Sequence, residues 1–326
     1  MLLLASHIFV TSIIPILLLI AGGFTLDKLF KLDLRTLSKL NFYVLLPAFI
    51  FQSLYTAHIG DESLEIGLCA LVIIFSNSLL VSLVGYLIHY DKRRLQIIRN
   101  GVMFNNSGNI GVAIATFVFS NTPYVINGAT PYVQLGIVSV ISIFIVQTVF
   151  CNTLGFYPAG LGQMTAKEAL RMVLRMPIIY VAPLAVLCKF LPFHLTSYFF
   201  WPPIHYYGIA YVGISMLTVG VELSRSPINF IKWDVLLAAG LRLLAGPLVA
   251  AGIALLFIHF YGALQPISAQ AIIMTYSVPS GVSTALIAYE THNNPEFATQ
   301  ITMATTVFSA ITMPLAILFA YYMFPL

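Results

Sequence analysis

Charge is what this chain has least of. Only 8% of its 326 residues are Asp, Glu, Lys or Arg, against roughly 25% in an average soluble domain. Hydrophobic residues make up 60%, which points to lipid rather than water as the solvent. Cysteine is scarce as well. Cys69, Cys151 and Cys188 all lie in apolar segments, show no disulfide or metal-ligand spacing, and read as small buried hydrophobes. The seven histidines sit at segment ends or in loops. There is no glycine-rich phosphate loop with a lysine, no nucleophile elbow and no His-Glu metal motif. These absences argue against an enzyme, a nucleotide-driven pump, a metal and a cofactor. The cations do not interleave with aromatics on a soluble face, which argues against a nucleic-acid partner.

What the chain does have is apolar segments of bilayer length. At about 20 residues per span, they fall near 7–26, 40–57, 66–89, 101–120, 131–152, 177–191, 203–223, 235–260, 269–289 and 299–323. The charges test this count. Lys28, Lys31, Arg35 and Lys39 lie in the first loop, and Lys92, Arg93, Arg94 and Arg99 in the third. Lys167, Arg171 and Arg175 lie in the fifth loop, and Arg225 and Lys232 in the seventh. Even-numbered loops hold only Lys189, and Arg242 lies inside a segment. So strong an asymmetry places the odd loops in the cytoplasm. Both termini are then on the non-cytoplasmic side of a cell membrane.

The expected fold is therefore an all-α polytopic membrane protein with ten transmembrane helices. Five spans per half force the second half to enter the bilayer inverted. Residues 1–152 form the first five-helix repeat, 153–176 a cytoplasmic linker and 177–326 the second repeat. The fourth and ninth segments are interrupted at corresponding places, by Phe104-Asn105-Asn106-Ser107-Gly108-Asn109 and by Tyr276-Ser277-Val278-Pro279-Ser280-Gly281. Ser107-Gly108 and Ser280-Gly281 are 173 positions apart, and Ala115 and Ala288 keep that offset. Irregular backbone at membrane depth is tolerated only where it lines a cavity or is buried in protein. Paired breaks of this kind point to a transporter's binding site. If helices 4 and 9 cross there, four half-helix ends meet, and the N-terminal ends can hold an anion without a buried lysine.

Several stretches resemble the auxin efflux carrier family, which includes PIN-like auxin carriers and bacterial malate/malonate-type carriers. They are Leu40-Asn41-Phe42-Tyr43-Val44-Leu45-Leu46-Pro47-Ala48, Asn106-Ser107-Gly108-Asn109-Ile110-Gly111, Leu241-Arg242-Leu243-Leu244-Ala245-Gly246-Pro247 and Val278-Pro279-Ser280-Gly281-Val282-Ser283-Thr284. The last segment adds Thr305-Thr306-Val307 and Met313-Pro314-Leu315. The resemblance covers nearly the whole chain. It implies a scaffold of helices 1, 2, 6 and 7, able to form a homodimer, and a mobile transport unit of helices 3–5 and 8–10. It also implies a small organic anion, a mono- or dicarboxylate, as substrate. The long central loop of the plant carriers is missing, and Ser-Gly stands in the fourth segment where they have Pro, which favours a compact microbial-type member over an auxin carrier.

The function expected is secondary transport of that anion by alternating access. A Na⁺-coupled symporter of bile-acid type and a ligand-binding membrane sensor are the alternatives. Substrate contact is expected from Asn105, Asn106, Ser107 and Asn109 in one break and from Ser277, Pro279, Ser280 and Ser283 in the other. Pro279 kinks the helix whichever role it has, and the hydroxyls either meet a ligand or bond back to carbonyls. Arg242 costs at least about 2.5–3.5 kcal/mol to place in a span, so it needs a partner. It either braces carbonyls or couples to an anion or acid, with Glu222, at the cytoplasmic end of the preceding span, as the candidate acid. Asn41 and Gln52 line the cavity or simply pack. Glu222 and Glu290 lie at span ends, and no carboxylate falls at midspan, which argues against a Na⁺/H⁺ antiporter.

Overall fold

Backbone amides in hydrocarbon must bond within their own segment, and helix is the structure this chain adopts. The computed structural model describes residues 6, 10–11, 14–57, 62–155, 171, 174–225, 232–262 and 264–326, with Glu290 described by its backbone alone. The helices are α1 (Ile14–Phe30), α2 (Leu34–Thr56), α3 (Glu62–Leu87), α4 (Lys92–Met103), α5 (Ser107–Phe119), α6 (Val133–Cys151) and α7 (Ile178–Cys188). They continue with α8 (Trp201–Ser224), α9 (Trp233–Tyr261), α10 (Pro266–Ser277), α11 (Val282–Glu290) and α12 (Pro295–Met323). Six of them (α2, α3, α6, α8, α9 and α12) are long and apolar enough to cross a membrane, and α5 and α7 are shorter apolar helices. Among the described residues the only strand-like pairings are isolated bridges. The chain is an all-helical, multi-pass membrane protein. Most of the expected linker 153–176 lies outside the described residues.

Helix α3 shows how such a sequence chooses a buried face. Most side chains are apolar all round the helix, so hydrophobic periodicity says little. Ile66, Cys69, Ala70, Ile73, Ile74, Asn77, Val81 and Gly85 are buried, on the 3.6-residue stripe of one helix face. Leu64, Leu68, Phe75, Leu79 and Leu83 are exposed on the other side, where lipid tails replace water. The inward stripe is thus the one carrying small and polar residues. Helix α4 begins at Lys92, well before the expected 101, because Asp91 caps it by accepting the Arg94 N–H at 2.9 Å. Its basic first turn is polar, yet Ile97, Ile98 and Val102 behind it are buried.

The described residues cluster into two compact units. One is drawn from Met1–Gly60, Gly108–Ile141 and Leu174–Ser226, the other from Asp61–Ser107, Ser142–Val173 and Pro227–Leu326. In the first unit α1 and α8 run parallel in close contact. A Cβ added at Gly23 would stand 2.0 Å from the Leu217 carbonyl oxygen, and one at Gly220 would stand 2.0 Å from that of Ile20. Helix α2 packs antiparallel on α8: Asn41 Nδ2 donates to Thr218 Oγ1 at 2.9 Å, and the Phe49 and Tyr211 rings are 5.2 Å apart. Gly220→Ala should therefore force the two backbones apart and lower the melting temperature, by about 1–3 kcal/mol of stability or more. Gly213→Ala on the same helix is the control, since its Cβ would meet nothing within 4 Å. Scanning fluorimetry giving equal melting temperatures for the two variants would refute this account of the α1–α8 contact.

Two π-helical turns, Asn41–Leu45 and Leu241–Ala245, stand just ahead of Pro47 and Pro247. Proline cannot donate, and its ring crowds the carbonyl four residues back. In each case the wider turn takes up this crowding: Leu46 N–H reaches Asn41 O, and Gly246 N–H reaches Leu241 O. Each turn carries a buried polar residue, Asn41 or Arg242.

Candidate functional site

Both interrupted helices belong to the second unit up to their breaks. Helix α4 ends at Met103, and 104–106 are extended before the π-turn Ser107–Gly111 that opens α5. Helix α10 ends at Ser277, and an extended stretch leads to Gly281, the N-cap of α11. The two extended links pair antiparallel. Asn106 N–H donates to Pro279 O at 2.9 Å, and Gly281 N–H to Phe104 O at 3.0 Å, around the bridge Asn105↔Ser280. Backbone groups freed by one break are thus satisfied by the other. A Cβ at Gly281 would lie 3.0 Å from Asn105 O, so glycine permits this approach.

Side chains lock the pair in place. Ser280 Oγ donates to Gly101 O at 2.7 Å, and its N–H donates to Thr305 Oγ1 at 3.2 Å. Asn105 Nδ2 donates to Thr275 O at 2.9 Å, while its N–H donates to Gln147 Oε1 at 2.9 Å. Ser277 Oγ bonds back to Met274 O at 2.7 Å. Pro279 supplies an accepting carbonyl and lacks a competing donor.

Arg242 is fully buried in this unit. Its Nε donates to Val278 O at 3.0 Å and its Nη1 to Val102 O at 2.9 Å. Its guanidinium carbon lies 5.9 Å from the centre of the Tyr276 ring. Val102 is in the last turn of α4 and Val278 is the C-cap of α10. Each helix C-terminus carries roughly half a negative charge, so one guanidinium compensates both. Among the described residues Nη2 has no hydrogen-bond partner.

Two further groups at the break remain open. Among the described residues, Asn105 Oδ1 and Ser107 Oγ are buried without a hydrogen-bond partner. Gly281 offers no side chain to cap α11; Thr284 N–H is taken by Gly281 O at 3.0 Å, which leaves the Val282 and Ser283 N–H groups ahead of the first intrahelical acceptor. Ser107 Oγ can donate or accept and Asn105 Oδ1 can only accept, so these two oxygens and the free N–H groups at the start of α11 leave both kinds of hydrogen-bonding capacity at the break.

The second unit thus brings together Asn105, Asn106, Ser107, Ser277, Pro279, Ser280 and Arg242 of the expected site. Ser283 is on the exposed face of α11, its Oγ 3.4 Å from Cys151 Sγ. Asn109 belongs to the first unit, half-buried in the π-turn, where the neighbouring Gly108 carbonyl accepts from Tyr211 OH. Glu222, Asn41 and Gln52 also belong to that unit. Asn41 bonds Thr218, and Gln52 Oε1 sits 2.6 Å from where a Cβ on Gly208 would be, so both take part in α2–α8 packing. The side chain of Glu290 lies outside the described residues. Sequence reasoning assigned no role to Gln147 or Thr305, both buried partners of the links. A glutamine deep in an apolar segment was the available signal for the first.

No family model matches the chain. It is similar to a protein of Methanothermobacter thermautotrophicus named "Uncharacterized transporter", 22% identical over 317 residues that cover 93% of this chain and 96% of that one.

Proposed function

We propose that this chain is a secondary transporter that moves a small organic anion, a mono- or dicarboxylate, across the cell membrane by alternating access. The observation that carries this reading is the pairing of two broken helices through Asn105↔Ser280, with unpartnered polar atoms at the break. Discontinuous helices of this kind serve substrate binding in carriers. Likeness along nearly the full chain to a protein named a transporter supports transport. The motif resemblance to auxin-efflux-type carriers supports a carboxylate.

In this reading two inverted five-helix repeats cross at helix pairs α4–α5 and α10–α11, with both termini outside. Helices α1, α2, α7 and α8 serve as a dimerising scaffold, and the remaining helices carry the substrate. The anion accepts from the N-terminal turn of α11 and from asparagine amides of the first break, while Arg242 holds the C-terminal ends of α4 and α10.

Purified protein in proteoliposomes should take up at least one of radiolabelled malate, malonate or indole-acetate, saturably and without nucleotide. A thermal-shift panel of carboxylates chooses the substrate first, since ligand at 100 times its Kd adds about 2.7 kcal/mol. Binding without flux would replace the carrier by a sensor. Flux that strictly requires Na⁺ would replace it by a symporter of bile-acid type.

A further inference from the structure

At the C-terminal ends of α1 and α8, the first unit holds a cleft of about 710 Å³ lined by Asp27, Lys28, Lys31, Leu32, Asp33, Ser224 and Arg225. Both carboxylates are already engaged. Asp27 takes Arg225 Nη2 at 2.6 Å and Nε at 3.1 Å, and it also accepts from Ser224 Oγ. The Arg225 hydrogen bond, followed by that of Ser224, holds the Asp27 carboxyl down at about 2. Its ionised form, and the stability it contributes, is therefore complete above about pH 4 and lost only as pH falls through about 2. Asp33 caps α2, accepting from Arg35 N–H at 3.1 Å and Thr36 Oγ1 at 2.5 Å.

The two ammonium groups are not neutralised. Lys28 gives one N–H to Ser224 O at 2.6 Å. Among the described residues neither Lys28 nor Lys31 has an ion-pair partner. Lys31 also sits at φ 50°, in the left-handed region where glycine would be unstrained, just past the end of α1. A strained lysine kept at such a position invites a functional reason. Beside the cleft, whose three cations outnumber its two carboxylates by one, Leu29 and Phe30 are 68% and 69% exposed and offer apolar surface. The charge count places this end of the helices at the cytoplasmic leaflet, whose anionic lipids attract basic clusters.

We propose that this cleft binds the phosphate of an anionic phospholipid, with Lys28 and Lys31 on the headgroup and Leu29 and Phe30 against its acyl chains. The shared chemistry is a phosphate anion, and the flanking apolar surface favours the lipid over free phosphate.

The test titrates detergent-purified, full-length protein with short-chain phosphatidylglycerol, phosphatidylcholine of equal chain length, and inorganic phosphate, reading melting temperature. Phosphatidylglycerol alone should give a saturable rise. Lys31→Gln should weaken its half-saturation at least tenfold, and Lys31→Arg should retain it. Lys31→Gly should lose the lipid effect while its lipid-free melting temperature equals or exceeds that of the wild type, because the strained φ is relieved. An equal rise with phosphatidylcholine would overturn the proposal, as would a rise with inorganic phosphate alone. So would a Lys31→Gln response indistinguishable from wild type.

Discussion

Replacing Arg242 with alanine should give a protein that melts well below the wild type and transports at a small fraction of its rate. The guanidinium is fully buried and donates to carbonyls of both broken helices, Val102 O and Val278 O. Removing it leaves two oxygens and two negative helix ends uncompensated in a low-dielectric interior. A buried carbonyl left without its donor costs about 1–3 kcal/mol, and two are left here. Arg242→Lys should fall between the two, because an ammonium lacks the planar fork that reaches two carbonyls at once. Substrate affinity should drop with stability, since the same links carry Asn105 and Ser280. Melting temperature and carboxylate Kd measured on the same purified variants decide the matter. An Arg242→Ala protein with wild-type stability and wild-type affinity would remove Arg242 from any role at the break.

That result would also show where sequence reasoning reached and where it stopped. The need for a partner was legible, because an arginine in a hydrophobic span is costly. Its identity was not. Bracing of carbonyls and pairing with an acid such as Glu222 were both open, and the hydrogen bonds go to two main-chain carbonyls, which any sequence provides and none advertises. The breaks at 104–109 and 276–281 were visible as polar and helix-breaking residues in apolar runs. Their direct pairing depends on backbone geometry that only the folded chain discloses. Helix ends shifted for local reasons: α4 starts at Lys92 because Asp91 caps it, and a span search based on hydropathy discards that basic turn. The π-turns before Pro47 and Pro247 show the same division. The prolines announce a disturbance, but not that the helix absorbs it by widening and so carries Asn41 and Arg242 on the altered register.

Asn106→Ala and Asn109→Ala should each reduce carboxylate affinity roughly tenfold to a hundredfold while leaving melting temperature near wild type. The three asparagines of the first break have different tasks. Asn105 Nδ2 is bonded to Thr275 O, so Asn105→Ala should lower stability along with binding. The contribution of Asn106 to the bridge is its main-chain N–H, which alanine keeps. Among the described residues its side chain, 8% exposed, has no hydrogen bond, and neither has that of half-buried Asn109. Amides left unbonded beside a helix N-terminus are available to a ligand carboxylate. One hydrogen bond to a charged group contributes about 1.5–3 kcal/mol, and each 1.4 kcal/mol is tenfold in affinity. Kd from calorimetry and flux from proteoliposomes, set against melting temperature, separate ligand contact from bracing. If both variants bind and transport like the wild type, the break is architecture alone and the substrate must contact other groups.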